Sequence, residues 1–227
     1  MTLINRIQMI EQNTFAPLNR VYSSVPTGTC EGCTACCSES VNISFLEFSN
    51  VVQNGLLKLE PHDRAALTKR VLSYYLTEWI KPQKCPFLDD QKRCMIYEVR
   101  PLPCRLFGTA TRAAYENNYR HIQVQNLKVA KWLAQNEKIM LSTAVRNKKI
   151  DFCEAFIPTE TLDEDSIQGL YDQLINLDGQ LFFKGIIDDS FMNENLVNLT
   201  LAYLIADHPN IITMEQLYAL KCEIAKR

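Results

Sequence analysis

Between Cys30 and Cys37 the sequence reads C-E-G-C-T-A-C-C, four thiols in eight residues. Several uncompensated thiolates held this close would repel one another, so protons or a cation must neutralise them. The N-terminus, M-T-L-I-N-R-I-Q-M-I-E-Q-N, lacks the basic start and the apolar stretch of roughly 7–15 residues that mark a signal peptide. There is no apolar run of about 18 residues and hence no expected membrane span. The expected location is the cytoplasm, where thiols stay reduced and clustered cysteines point to metal binding or catalysis rather than to disulfides.

Distribution sharpens this. Of 9 cysteines, Cys30, Cys33, Cys36, Cys37, Cys85, Cys94 and Cys104 fall in one stretch; only Cys153 and Cys222 lie beyond it. Cysteines used as small core hydrophobes would be scattered. Cys222, in T-M-E-Q-L-Y-A-L-K-C-E-I, is read as such a core residue on a terminal helix. Thiolates are soft ligands that select zinc or iron–sulfur clusters over hard cations. A C-x2-C turn can set two sulfurs on one metal at about 2.3 Å. Here it occurs twice in overlap, Cys30/Cys33 and Cys33/Cys36. The ferredoxin run would continue with cysteine at position 40, which is Ser40, so a fourth ligand must come from Cys85, Cys94 or Cys104. In the adjacent pair Cys36-Cys37, neighbouring side chains usually point apart; one ligates while the other packs, or each serves a different metal. With Cys153 the pool is eight thiols, enough for two four-cysteine sites. Lys84, Lys92, Arg93, Arg100 and Arg105 flank the second cysteine segment; they balance residual negative charge or are simply solvated.

The rest of the chain reads as helical. Ser44 to Glu47 has the S-x-x-E form of a capping box, opening a helix that closes near Asn54-Gly55. Pro61 sits at a natural first helical position; Leu67, Val71, Leu72, Tyr75, Leu76 and Trp79 then recur at helical spacing, and Lys81-Pro82 ends the run. Residues 85–107 hold three prolines and an acidic turn at Asp89-Asp90, which suggests loops and a small hairpin. A helix is expected from Gly108 to about residue 147, and three more near 164–177, 191–206 and 212–226, the last marked by Thr213 with Gln216. The expected fold is mostly α, with metal-binding cysteine-rich loops. Residues 25–157 form the cysteine module and 158–227 a helical C-terminal region, as two domains or one continuous core.

A net charge of −2 gives no general attraction to nucleic acid or an anionic membrane surface. The three histidines, His62, His121 and His208, are too dispersed for a constellation and read as ordinary surface or helical residues. No H-E-x-x-H, G-x-S-x-G or phosphate-loop motif occurs. Tyr74, Tyr75 and Trp79 read as core before pocket. Y-E-N-N-Y-R, from Tyr115 to Arg120, offers a polar and aromatic helix face for a ligand or partner.

Taken together, C-x2-C-x2-C-C, then C-P-F-L, C-x-I-Y and R-P-x-x-C-R over residues 30–107 resemble the CxxCxxCC (YkgJ-type) cysteine-cluster family of bacterial and archaeal proteins, described as zinc- or iron-chelating. Pro86, Ile96, Tyr97, Arg100, Pro101 and Arg105 fall in register with the seven cysteines, and Cys153 is the candidate for the family's eighth. The resemblance implies metal ligation by these thiols, with Tyr97, Arg100 and Arg105 around them. One branch is similar to flagellin lysine-N-methylases, which carry an iron–sulfur cluster and use S-adenosylmethionine. The chain has no G-x-G nucleotide fingerprint. The expected occupant is an iron–sulfur cluster of the 4Fe-4S type, or zinc. As a binding module the protein would store or deliver metal or face a protein partner; as an enzyme it would act in methyl or electron transfer. No catalytic residue is assigned.

Overall fold

The structure is a computed structural model and describes residues 1–38, 41–191, 194–206 and 212–226. His208 lies outside them. Among the described residues the chain is helical with only two-residue strands: α1 Leu3–Gln8, α2 Phe15–Ser23, β1 Gly28–Thr29, β2 Asn42–Ile43, α3 Phe45–Asn54, α4 Pro61–Thr77, α5 Leu102–Leu106, α6 Arg112–Trp132, α7 Thr143–Arg146, β3 Ile157–Pro158, α8 Glu164–Phe183, β4 Glu194–Asn195, α9 Leu196–Ala206 and α10 Met214–Ala225. The mostly α expectation holds.

Local chemistry accounts for the helix starts. Ser44 accepts from the Glu47 amide at 3.2 Å while Glu47 accepts from the Ser44 amide, a complete capping box on α3. Thr213 and Gln216 form the same reciprocal pair on α10. Pro61 occupies the first turn of α4, where its missing N–H costs nothing.

One hydrophobic cluster runs from Ile7 to Leu217 and draws on both halves of the chain. α3 is buried from Phe45 to Val52, with Phe45 and Phe48 at 0% exposure. α8 packs on α2 and α3, and α9 packs on α1 and α4. The short sheets act as ties rather than as a layer. β1 pairs antiparallel with β3, Gly28 opposite Pro158; β2 pairs antiparallel with β4, Asn42 opposite Asn195. They hold the two ends of the cysteine knuckle to later parts of the chain.

Three element boundaries depart from expectation. The single helix expected through residue 147 breaks: α6 passes into a π-turn at Leu133–Glu137, Lys138 adopts the left-handed conformation (φ 60°), and α7 is separate. Leu133 and Ile139 pull the chain inward there, because they form a small second core with Cys222 on α10. α8 extends to Phe183 instead of stopping near 177, since Leu181 is buried and Gly179 is tolerated mid-helix. α9 begins at Leu196 rather than 191. The Asn195 side chain accepts from the Val197 amide at 2.9 Å, and β4 occupies the residues before it.

Candidate metal centre

The knuckle follows β1. Gly32 (φ 68°) and Thr34 (φ 59°) both take left-handed conformations, which turn the backbone tightly enough to bring the cysteines round one loop. The Cys37 amide donates to the Thr34 carbonyl at 3.1 Å. The second cysteine segment is stitched to this loop: the Cys85 amide donates to the Cys37 carbonyl at 2.8 Å, and Lys84 Nζ donates to the Thr34 carbonyl at 2.9 Å. Lys148 Nζ reaches the Ser38 carbonyl from the far side. Two of the basic residues near the loop thus satisfy backbone carbonyls, a role that composition could not distinguish from solvation.

Residues 85–95 form the small hairpin expected there. Leu88 bridges Cys94, and the Met95 amide donates to the Phe87 carbonyl at 2.8 Å. Lys92 is left-handed at the tip (φ 62°), and Asp89 accepts from the Gln91 and Arg93 amides at 2.9 and 2.8 Å. Arg70 on α4 clasps the base of the hairpin, with Nε donating to the Pro86 carbonyl at 3.0 Å and Nη2 reaching Met95 Sδ at 2.8 Å.

α5 supplies Cys104, and its position depends on a residue that carries no obvious motif. Glu47 is 1% exposed. Its Oε1 accepts from the Leu102 amide at 2.6 Å, at the start of α5, and from the Tyr22 hydroxyl at 3.0 Å. Burial raises the Glu47 pKa, and these donors oppose the rise. One buried carboxylate therefore caps α3, anchors α2 and fixes the start of the helix bearing Cys104. The capping-box pattern found Glu47 as a helix signal; nothing in the sequence linked it to residue 102.

The sulfurs of Cys36 and Cys37 lie 4.0 Å apart. Two sulfurs bound tetrahedrally to one metal at 2.3 Å are about 3.8 Å apart. The pair thus turns to the same side, contrary to the expectation that adjacent side chains diverge. The Cys36 pKa is raised by its hydrogen bond to Cys37 and by burial, while Cys37 is lowered by the same bond. Burial pushes Cys85 up to about 11 and also raises Cys94. Cys104 is raised by burial first, then by the charges of Cys85, Cys94 and Cys36. The residue as a whole keeps exposed surface.

Cys36, Cys37, Cys85, Cys94 and Cys104 thus feel one another's charge. Arg100 faces this group: its guanidinium lowers the pKa of Cys36, Cys94 and Cys104 and lies 4.0 Å over the Tyr97 ring. Its buried Nε has no hydrogen-bond partner among the described residues. Arg105 turns away from the sulfurs. It donates to the carbonyls of Arg100 (2.8 Å) and Glu98 (2.6 Å) and stacks over Tyr22 at 4.0 Å, bracing the loop that carries Arg100. Cys30 and Cys33 stand exposed on the outer turn, with the Gly32 amide 3.4 Å from Cys30 Sγ. Cys153 lies apart, in a cavity wall. Among the described residues no group of three or more His, Cys, Asp or Glu side chains is gathered closely enough to hold a metal ion as it stands.

A soft, positively charged metal or cluster suits this donor set. All the gathered donors are thiols, they need a cation to give up their protons, and the orphaned Arg100 Nε is a donor awaiting an anionic sulfur.

The cavity beside α5 has a volume of about 300 Å³. Tyr115, Tyr119, Phe152, Cys153 and Tyr171 line it, with Pro103 next to Cys104. Tyr115 and Tyr119 stack with ring centroids 6.3 Å apart, and Phe152 meets Tyr115 edge-on at 5.4 Å. Tyr171, raised mainly by burial, also feels the charge of Cys104, so the cavity adjoins the sulfur group. His121 lies on its wall, and His62 is exposed beside Asp63. Tyr74 and Tyr75 are core residues, and Cys222 is 7% exposed in the minor core, as expected.

No curated protein and no solved structure matches this chain. Residues 29–134, from the knuckle to the end of α6, match the model of the CxxCxxCC family, described as a "putative zinc- or iron-chelating domain".

Proposed function

We propose that the protein binds an iron–sulfur cluster of the 4Fe-4S type, or zinc, through Cys36, Cys37, Cys85, Cys94 and Cys104, with Cys30, Cys33 and Cys153 completing the ligand pool. One observation carries this reading: thiols from three separate segments feel one another's charge, and three of them, Cys36, Cys94 and Cys104, also feel the Arg100 guanidinium, whose buried Nε has no partner among the described residues. When bound, the metal supplies the positive charge that keeps the thiolates deprotonated. The chain's own part is to hold them: Lys84 and Lys148 fix the knuckle, Arg70 fixes the hairpin, and Glu47 fixes α5. Binding free energy then becomes folding free energy for the loops. The test is metal and acid-labile sulfide content on protein purified without oxygen, with its absorption spectrum. Iron, sulfide and a broad band in the violet support the cluster. Stoichiometric zinc without colour supports the zinc form. Protein free of both metals refutes the proposal.

A second reading, a methyltransferase of the lysine-N-methylase type using S-adenosylmethionine, is favoured by the cavity beside Cys104. Its volume falls at the lower end for small-molecule sites, about 300–1,000 Å³. Tyr115, Tyr119 and Phe152 would hold an aromatic ring there. Equilibrium dialysis with S-adenosylmethionine, on wild type and Tyr115→Ala, decides it: saturable binding lost in the variant supports this reading, and no binding to metal-loaded wild type ends it.

A further inference from the structure

α6 is 21 residues long and buries only Ala114. Its second half is largely exposed, with Gln123, Asn126, Leu127 and Val129 on one wall of a groove shared with Trp79 and α7. Arg120, Val124, Leu127, Lys128 and Lys131 follow the i, i+4, i+7, i+8, i+11 spacing of one helix face, and all are exposed, Val124 to 51% and Leu127 to 60%. This face pairs an apolar centre with three cations. Between Asn117 and Asn147 the lone carboxylate is Glu137, against Arg120, Lys128, Lys131, Lys138 and Arg146. Isolated helical segments of about 12–15 residues are marginal in water, and an apolar centre flanked by cations on an exposed face is the composition of a surface that another chain covers.

The complement is on the same molecule. From Asp151 to Phe183 there is no lysine or arginine. α8 carries Asp165, Asp172, Ile175 and Phe183 on one exposed face, with Ile175 57% and Phe183 90% exposed. Gly169 and Gly179 sit mid-helix with open space above the backbone, where an alanine would fit unopposed. Each glycine costs the helix about 1 kcal/mol relative to alanine. Close approach of another chain would give them a use. The basic, apolar-centred face of α6 and the acidic, apolar-ended face of α8 are complementary in charge.

We infer that α6 is an interface between two copies of this chain, its Arg120–Lys131 face docking on the Asp165–Phe183 face of α8 in the second copy. A two-fold arrangement makes this contact twice and closes on itself. It stands independently of the metal reading, since neither face contains a cysteine.

The experiment is light scattering after size exclusion on the full chain, at low and high salt, with two charge-reversed variants: Lys128→Glu with Lys131→Glu on α6, and Asp165→Lys with Asp172→Lys on α8. All four positions are exposed, and circular dichroism checks that each variant folds. Wild type should run at twice the monomer mass at low salt and shift towards monomer as salt rises. Each variant alone should run as monomer. An equimolar mixture of the two should recover the doubled mass, because each reversed face then meets an opposite one. A wild type that stays monomeric at low salt, leaving α6 to an acidic surface on a different protein, overturns the inference. So does a dimer that both reversals leave intact, or a mixture that stays monomeric.

Discussion

Replacing Glu47 by alanine tests how the fold holds the cysteine helix without touching a cysteine. The side chain is 1% exposed and accepts three hydrogen bonds: from the Leu102 amide, the Tyr22 hydroxyl and the Ser44 amide. Alanine orphans all three donors. Two are fully buried, and leaving a buried donor unsatisfied costs about 1–3 kcal/mol. The third is part of the α3 cap, worth about 1 kcal/mol. Removing a carboxylate whose ionised form is disfavoured by burial returns some of this. The expected net loss is about 4 kcal/mol, a large share of the ~5–15 kcal/mol typical of a folded domain. Glu47→Gln keeps the volume and one acceptor oxygen for Leu102 and Tyr22, but presents N–H to the Ser44 amide; about 1–2 kcal/mol is expected. Urea unfolding of metal-free wild type and both variants gives the numbers, with the midpoint falling at unchanged slope. Because Leu102 begins α5, Glu47→Ala should also speed metal loss to a chelator. A stability loss below about 1 kcal/mol for the alanine variant would refute the account, since no orphaned buried donor is that cheap.

Other substitutions separate the remaining parts. Cys33→Ser and Cys94→Ser should each release metal and lower stability sharply, while Cys222→Ser should retain full metal content by elemental analysis; a Cys33→Ser protein with undiminished metal removes that thiol from the ligand pool. Gly108→Ala should destabilise by more than about 1 kcal/mol in urea melts, because φ is 89° and the new Cβ would stand 2.7 Å from the Phe156 ring and its Cβ. Lys221 is 3% exposed, paired with Glu78 and lying 4.0 Å over Trp79, so Lys221→Met should cost about 2 kcal/mol, less than for a fully enclosed pair because Glu78 keeps some solvent contact. Burial raises Asp178 from 3.8 to about 6 even though it accepts the Phe45 and Leu46 amides at 2.7 and 3.0 Å. A raised carboxylate pKa means the native state holds the proton more tightly. Its contribution is therefore whole below about pH 4 and is lost as pH rises through about 6, by up to about 3 kcal/mol. Asp178→Asn cannot titrate, so the stability gap between wild type and variant should narrow by roughly that amount between about pH 4 and 7; a constant gap in urea midpoints would contradict the burial argument.

Sequence alone determined where the thiols cluster and most of the helices. Thiol spacing is a local property: C-x2-C turns, a hairpin tip and a proline-flanked helix each fit within a dozen residues, so the clustering of soft donors is legible from the chain. The same is true of the caps at Ser44 and Thr213 and of the apolar face of α4. Tertiary structure decided which thiols meet. The Cys36 and Cys37 sulfurs lie 4.0 Å apart, the buried Glu47 carboxylate holds the Leu102 amide at the start of the helix that carries Cys104, Cys30 and Cys33 stand exposed, and Cys153 lines the neighbouring cavity. The break between α6 and α7 was likewise out of reach, since Leu133 and Ile139 turn inward to meet Cys222 on a helix far along the chain. Periodicity reports which face of an element is apolar. It does not report which distant partner that face will find, and both the sulfur group and the cavity beside it are built from such partners.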